Sequence, residues 1–376
     1  MPPFTVDDFR TRLPAILETL RAMVESESPT TDKPLVDALG RFVADRCSAT
    51  GGRLQPFPQE RVGDHWLAEW GEGEAGLLML AHLDTVHPAG TLERMPWRVR
   101  DGRATGPGSI DMKGGVAVAL AVMDALSGSG RLPAWPVRLL LTTDEETGSR
   151  TSRALIEEQA RRHRAVFCLE PAMPDGALKT WRKGTGLFTL ETTGRASHAG
   201  NSPEAGVNAI VEMAHQILRL QELARPESGT TISVGIINGG TRTNVVPGRC
   251  LAKLDVRVLE PDEPERLERG LRALRPVLPG AAIEVRGGWN RPPMRRTPAM
   301  AASFERARTL AATIGLDLKE SGTGGGSDAN FVAALGVPVL DGLGPLGNGA
   351  HSDDEYVMVD SLAERAALLA VLLTEW

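Results

Sequence analysis

Cysteine is scarce here, and its placement excludes two classes at once. Cys47, Cys168 and Cys250 are the only three in 376 residues and no C-x-x-C occurs, so neither a disulfide framework nor a cysteine-zinc site is indicated. They read as small buried hydrophobes. No apolar run reaches the roughly 18 residues of a membrane span. No basic block occurs and the formal charge is −6, which argues against nucleic acid or an anionic membrane as partner. The amino terminus, Met-Pro-Pro-Phe-Thr-Val-Asp-Asp, does not follow the basic-then-apolar order of a signal peptide, so the expected location is cytoplasmic. The glycine-rich loop Thr323-Gly-Gly-Gly-Ser-Asp328-Ala-Asn330 lacks a G-K-[ST] ending and G-x-G-x-x-G spacing, which makes a nucleotide site a weak reading.

What remains is an ordinary globular composition, 41% hydrophobic and 24% charged, in a chain long enough for about two domains. Amphipathic spacing predicts helices over Val6–Val24 and Pro34–Cys47. Strands are predicted near Leu54–Pro56 and Trp66–Trp70, then at Leu77–Ala81. That last strand delivers His82 and, two residues on, Asp84. Residues i and i+2 of a strand face the same side, so the two project together from an end where α/β sheets place chemistry. A neutral imidazole is a metal ligand commonly aimed by a carboxylate, although a buried structural His–Asp pair would read the same way.

Further acids sit at similar positions. Gly106-Pro-Gly-Ser-Ile-Asp111-Met-Lys-Gly114-Gly115 opens an apolar helix running to about Leu126, and Asp111 either holds a ligand there or caps the helix. Strand Val137–Thr142 ends in Asp144-Glu145-Glu146, three carboxylates that repel one another unless a cation or proton sits among them. If Glu145 and Glu146 continue the strand, they point to opposite sides and take different roles. The alternative is a solvated turn before a helix over Arg150–Arg161. A fourth strand, Ala165–Leu169, ends in Glu170. Parallel strands would line these side chains along one edge, and imidazole with carboxylate oxygens suits Zn²⁺, Co²⁺ or Mn²⁺.

From about Arg182 the pattern changes to strand Gly186–Arg195, Ser197-His198-Ala-Gly, helix Glu204–Leu223, strands Thr230–Ile236 and Arg249–Leu259, helix Asp262–Leu274 and strand Ala281–Arg286. This β-α-β-β-α-β order is that of a ferredoxin-like unit, inserted before αβ patterning resumes with helix Pro298–Gly315, strand Val337–Leu340 and a closing helix over Asp360–Leu373. The expected division is 1–182, 183–292 and 293–376. His351 follows a second glycine-rich loop. His65, His163 and His215 read as structural, and His87 as a loop residue.

Six motifs in order, His82-x-Asp84-Thr-Val, Gly108-x-x-Asp111-Met-Lys-Gly-Gly, Asp144-Glu145-Glu146-x-Gly-Ser, Leu169-Glu170-Pro, Ser197-His198-Ala-Gly and His351-Ser-x-Asp-Glu355-Tyr, resemble the M20 family of metallopeptidases. Within it, Glu170 and the Gly324-Gly-Gly-Ser-Asp-Ala-Asn330 loop look most like the glutamate carboxypeptidase (carboxypeptidase G2-like) branch. The resemblance implies an α/β fold, with a zinc-peptidase-like catalytic domain (a mixed sheet flanked by helices) and an inserted ferredoxin-like dimerisation and lid domain. It implies two Zn²⁺, or Co²⁺ or Mn²⁺ in their place. His82 and Glu170 would bind one, Glu146 and His351 the other, with Asp111 bridging. Asp84 would aim His82, Glu145 would be the general base, and His198 would steady the oxyanion, often from a neighbouring subunit. A cis peptide bond after Asp111 is also implied. Arg291, Asn244, Gly326 and Ser327 fall on the substrate side, and Lys179 and Lys183 are candidates for gripping a glutamate side chain. The implied reaction releases a C-terminal amino acid, glutamate-like, from a peptide or N-acyl conjugate. The alternatives are an N-acyl-amino-acid deacylase of the acetylornithine or succinyl-diaminopimelate type, or a non-catalytic dimer that a metal only stabilises. A homodimer through the inserted domain is expected.

Overall fold

The computed structural model describes residues 4–376. Two compact units emerge: one is the chain up to Trp181 with Arg296–Thr323 and Ser327–Trp376, the other Arg182–Arg295 with Gly324–Gly326.

The first unit is built on an eight-stranded mixed sheet. Its spatial order is Arg53–Phe57, His65–Trp70, Val137–Thr142, Leu77–His82, Ala165–Cys168, Val339–Asp341, Leu178–Arg182 and Glu320–Thr323. Leu77–His82 runs parallel to Val137–Thr142 and to Ala165–Cys168, and Val339–Asp341 runs parallel to the latter. The register sets His82 beside Thr142 and Leu80 beside Cys168. Four carboxyl ends therefore share one edge. The central strands are apolar throughout because both faces are covered. Leu77, Met79 and Ala81 join the main core with Leu139 and Phe167, while Leu78 and Leu80 are buried on the opposite face. Helices Val6–Glu25, Gly114–Gly128 and Val359–Glu375 pack together and contribute to that core. Gly114–Gly128 is apolar nearly all round, as a helix enclosed by neighbours must be.

Two local features differ from expectation. Glu145–Thr147 is a turn of 3₁₀ helix, and the following helix starts at Arg153. The apolar run stops at Thr142, and the left-handed Gly148 (φ 95°) ends the turn. Helix Ala209–Leu223 likewise starts later than expected, after a separate 3₁₀ turn at Pro203–Ala205, because Asn208 caps it by accepting from the Ile210 and Val211 amides.

A small four-stranded sheet, in the order Gly347–Asn348, Tyr356–Met358, Arg103–Thr105 and Arg98–Arg100, pairs Tyr356 with Thr105. It brings the His351 loop beside the turn that carries Asp111.

The second unit is an antiparallel sheet ordered Thr231–Gly239, Arg249–Val258, Gly184–Thr193, Ala282–Arg291. Its core is formed by residues such as Leu190, Leu254 and Val256 with Met213 and Leu220 of helix Ala209–Leu223 and Leu267 of helix Glu263–Arg272. Among the described residues, no helix is long and apolar enough to cross a membrane.

Candidate metal centre

His82 is the last residue of a fully buried strand, and its ring is only 2% exposed. Its Nδ1 lies 2.9 Å from the carbonyl oxygen of Asp84, while the Asp84 carboxylate is 3.5 Å away. The shorter contact is the hydrogen bond, so Nδ1–H donates to the backbone and Nε2 is the nitrogen left to face the site. Nε2 sits 3.2 Å from Asp111 Oδ1 and 3.7 Å from Glu170 Oε1.

The Asp84 carboxylate, besides facing His82, has further partners. It accepts from Thr30 Oγ1 at 2.7 Å and from the backbone amides of Glu145 (3.3 Å) and Glu146 (3.2 Å). A fully buried carboxylate needs such donors. Burial raises its pKa, but His82, Thr30 and the Glu146 amide together hold it below the ordinary value. Asp84 thus aims His82 through its carbonyl and anchors the Glu145–Glu146 turn through its side chain.

Of the two conformations the sequence leaves open for Glu145 and Glu146, strand continuation or turn, the structure has the turn. Asp144, the first of the three acids, is turned away. Its oxygens accept from Thr151 N (2.7 Å), Thr151 Oγ1 (2.8 Å) and Ser152 Oγ (2.6 Å). Hydrogen bonds satisfy the oxygens of that member of the trio, which leaves two carboxylates with different surroundings. Glu145 is half-buried, whereas the Glu146 side chain is 6% exposed.

Asp111 lies between the histidines. Its Oδ1 meets His82 and its Oδ2 is 3.3 Å from His351 Nε2, which is itself 3.2 Å from Glu146 Oε2. The Asp111–Met112 peptide bond is cis, as the resemblance implied. Glu170 follows strand Ala165–Cys168; Leu169 N donates to Leu80 O and Gly344 N to Glu170 O, which fixes its backbone. His351 sits in a loop with a left-handed backbone (φ 65°).

These acids draw positive charge strongly. Hydrogen bonds to Asp111 and then Glu146 raise the His351 pKa to about 11. Burial opposes charging of His82, yet Asp111 and Asp84 lift it well above the usual imidazole value. Burial also works against ionised Asp111, but His351 and His82 hold its carboxyl far below the usual range. Burial keeps the Glu146 carboxyl raised. One ligand atom each from His82, Asp111 and Glu146 lies within 4.8 Å of the others, and Glu146 Oε1 is buried with no hydrogen-bond partner among the described residues. An orphaned carboxylate oxygen beside two imidazoles and an aspartate fits a divalent cation.

The remaining candidates divide between the units. Ser327, in the first, is fully buried, and its hydroxyl accepts from Ala329 N at 3.2 Å at the start of a helix. The hydroxyl is turned into the fold, with Asp341 Oδ2 3.5 Å away. Lys179 is a buried strand residue opposite Asp341, in the first unit, and Lys183 belongs to the second. In the second unit, His198 Nδ1 accepts from Gly200 N and Asn201 N, which leaves Nε2–H as the ring donor. Asn244 lies beside it, its carbonyl accepting from Ala199 N. Arg291 ends a strand, is 7% exposed, and donates to Asn290 Oδ1. The Cβ position at Gly326 is 2.9 Å from Arg291 Cδ, so only glycine fits there without displacement.

Sequence reasoning missed Thr30, His87 and Glu355. Glu355 stood inside a quoted motif, but its partners are far away in the chain and no local spacing reveals them. Of the three histidines read as structural, His65 and His163 are held by hydrogen bonds within the fold. His65 is enclosed between Thr143 and Thr151, and His163 between Gln159 and Arg138.

A family model described as peptidase family M20/M25/M40 matches residues 78–375. Carboxypeptidase G2 of Pseudomonas sp. (strain RS-16) is 32% identical over 373 residues, covering 96% of this chain and 89% of that protein. A succinyl-diaminopimelate desuccinylase of Rhodospirillum centenum is 30% identical over 347 residues, covering 85% and 87%. The solved aminopeptidase of Bacillus cereus shares the fold with a TM-score of 0.75 at 23% identity, covering 96% of this chain and 98% of that one. Motif order, fold and similarity agree over nearly the whole length, and the chain belongs to peptidase family M20/M25/M40 as a hydrolytic enzyme.

Proposed function

We propose that the protein is a dizinc hydrolase that cleaves an amide bond to release a C-terminal amino acid, glutamate-like, from a peptide or N-acyl conjugate. The convergence of His82, Asp111, Glu146 and His351, with Glu145 on the same turn, carries this reading. His82 and Glu170 would hold one cation, Glu146 and His351 the other, and Asp111 would bridge. Bound divalent metal supplies Lewis acidity, polarising a carbonyl and bringing the pKa of water toward neutrality.

The chain's own groups do the rest. Glu145 takes the proton from the attacking water and passes it to the leaving nitrogen, which lets one carboxylate serve as base and then acid. Its backbone is fixed by Asp84, so its reach is set by the same residue that orients His82. His198, with Nε2–H as its donor, would stabilise the developing oxyanion. Arg291 is the guanidinium suited to the released carboxylate, with Asn244 and the backbone at Gly326 as further contacts. The similarity to carboxypeptidase G2 over 96% of the chain supports this substrate class. The desuccinylase similarity supports a second reading, an N-acyl-amino-acid deacylase using the same ligands. A homodimer through the edge strand Thr231–Gly239 is proposed as well.

Replacing Glu145 with Ala should leave zinc binding intact and lower kcat by about 10²–10⁴-fold. Turnover that survives this change would overturn the base assignment. Hydrolysis of N-succinyl or N-acetyl amino acids with none of glutamyl conjugates would move the assignment to the second reading.

A further inference from the structure

Glu355 is a carboxylate that is 1% exposed and lies four residues after His351. Its Oε1 accepts from Ile110 N at 2.8 Å and Asp111 N at 3.1 Å. Its Oε2 accepts from Gly108 N at 3.0 Å and faces His87 Nε2 at 2.8 Å. Four donors on two oxygens nearly exhaust what a carboxylate can accept.

These donors belong to segments that each carry a proposed ligand. Gly108–Asp111 is the turn that presents Asp111, whose amide lies 244 residues from Glu355. His87 follows the strand end that presents His82. Glu355 itself closes the loop that presents His351. Gly108 has φ 72°, and a Cβ there would stand 2.5 Å from Thr85 Cγ2; the absence of a side chain lets the turn fold tightly around the carboxylate. The His351 loop is tied down a second time by Arg94, which grips both oxygens of Asp353 at 3.0 and 3.1 Å. Lys113, 1% exposed, donates to Ser26 O at 3.0 Å.

We propose that Glu355, assisted by His87, is a positioning residue that fixes Asp111, His351 and His82 relative to one another and thereby sets metal affinity. The inference rests on the metal centre proposed above. A glutamine at position 355 would offer one accepting oxygen and turn an N–H₂ toward N–H donors, so it cannot reproduce the arrangement although its size is the same.

The test is a zinc titration of metal-free wild-type protein, Glu355→Gln, His87→Phe and Asp111→Asn against a competing chromophoric chelator, with the melting temperature of each metal-free protein. Glu355→Gln should weaken zinc binding by about 10–100-fold and His87→Phe by about tenfold, the usual effect of losing a group that orients ligands. A structural role alone would lower the melting temperature and leave zinc affinity of the folded protein unchanged, and that result overturns the proposal. If Glu355→Gln does not fold, His87→Phe decides on the same criterion. Wild-type affinity in Asp111→Asn, or no zinc uptake by the wild type, would overturn the metal centre and the inference with it. Weak binding by Asp111→Asn beside unchanged Glu355→Gln overturns the positioning role only.

Discussion

His163 shows how burial at a single side chain reaches the stability of the whole unit. Its Nδ1–H donates to Gln159 O and its Nε2 accepts from Arg138, which is also paired with Glu69. Both ring nitrogens are committed to the neutral form, and burial, helped by the Arg138 charge, pushes the pKa from 6.5 down to about 4. As pH falls through 6.5 the unfolded chain takes up a proton that the folded chain refuses. The contribution is complete above about pH 6.5, declines down to about pH 4, and then levels off; over that window it amounts to at most about 3 kcal/mol. His163→Gln should flatten the pH dependence of the urea midpoint between those limits. The metal ligands are the second residue-scale case. Zinc at about 100 times its dissociation constant should stabilise the folded state by about 2.7 kcal/mol. A melting temperature indifferent to zinc and to chelator would contradict binding at this cluster.

Elements place these residues, and close backbone approach decides how well. Helix Gly114–Gly128 comes so near the end of strand Ala165–Cys168 that a Cβ on Gly115 would lie 2.1 Å from Leu169 O. Gly115→Ala should cost about 1–3 kcal/mol by overpacking, and by displacing Leu169 it should also weaken zinc binding through Glu170. Gly128→Ala, at the far end of the same helix with nothing within 4 Å of its Cβ, should be neutral or stabilising by up to about 1 kcal/mol. Denaturant midpoints and zinc titrations of the two variants separate packing from propensity. The elements were legible in the sequence wherever periodicity was strong. The Leu77, Val137 and Ala165 strands were found because apolar runs of strand length are bounded by acids and turns. For Glu145–Glu146 the sequence leaves strand continuation and a turn both open, since nothing near it in sequence shows that Asp84, about sixty residues earlier, binds both amides. Arg291 was placed outside a strand because Gly287 and Gly288 interrupt the alternation that its strand nevertheless continues.

At the scale of the whole molecule, the second unit leaves Thr231–Gly239 at the edge of its sheet, with Ile236 and Ile237 about half exposed. A long edge with apolar side chains invites pairing with a second copy. Light scattering should report twice the 40.2 kDa chain mass, and the double variant Ile236→Lys with Ile237→Glu should return it to one. A wild-type monomer at assay concentrations would remove the proposed dimer.

The sequence by itself determined which residues could ligate, because imidazoles and carboxylates at the ends of apolar strands are a local pattern, and it determined the β-α-β-β-α-β order of the second unit. Tertiary structure alone decided how those residues are held. Asp84 serves as a turn anchor and Glu355 gathers donors from two other segments, since each depends on hydrogen bonds between groups far apart in the chain. A buried carboxylate must find its donors wherever the fold brings them, and a sequence records only who the neighbours along the chain are.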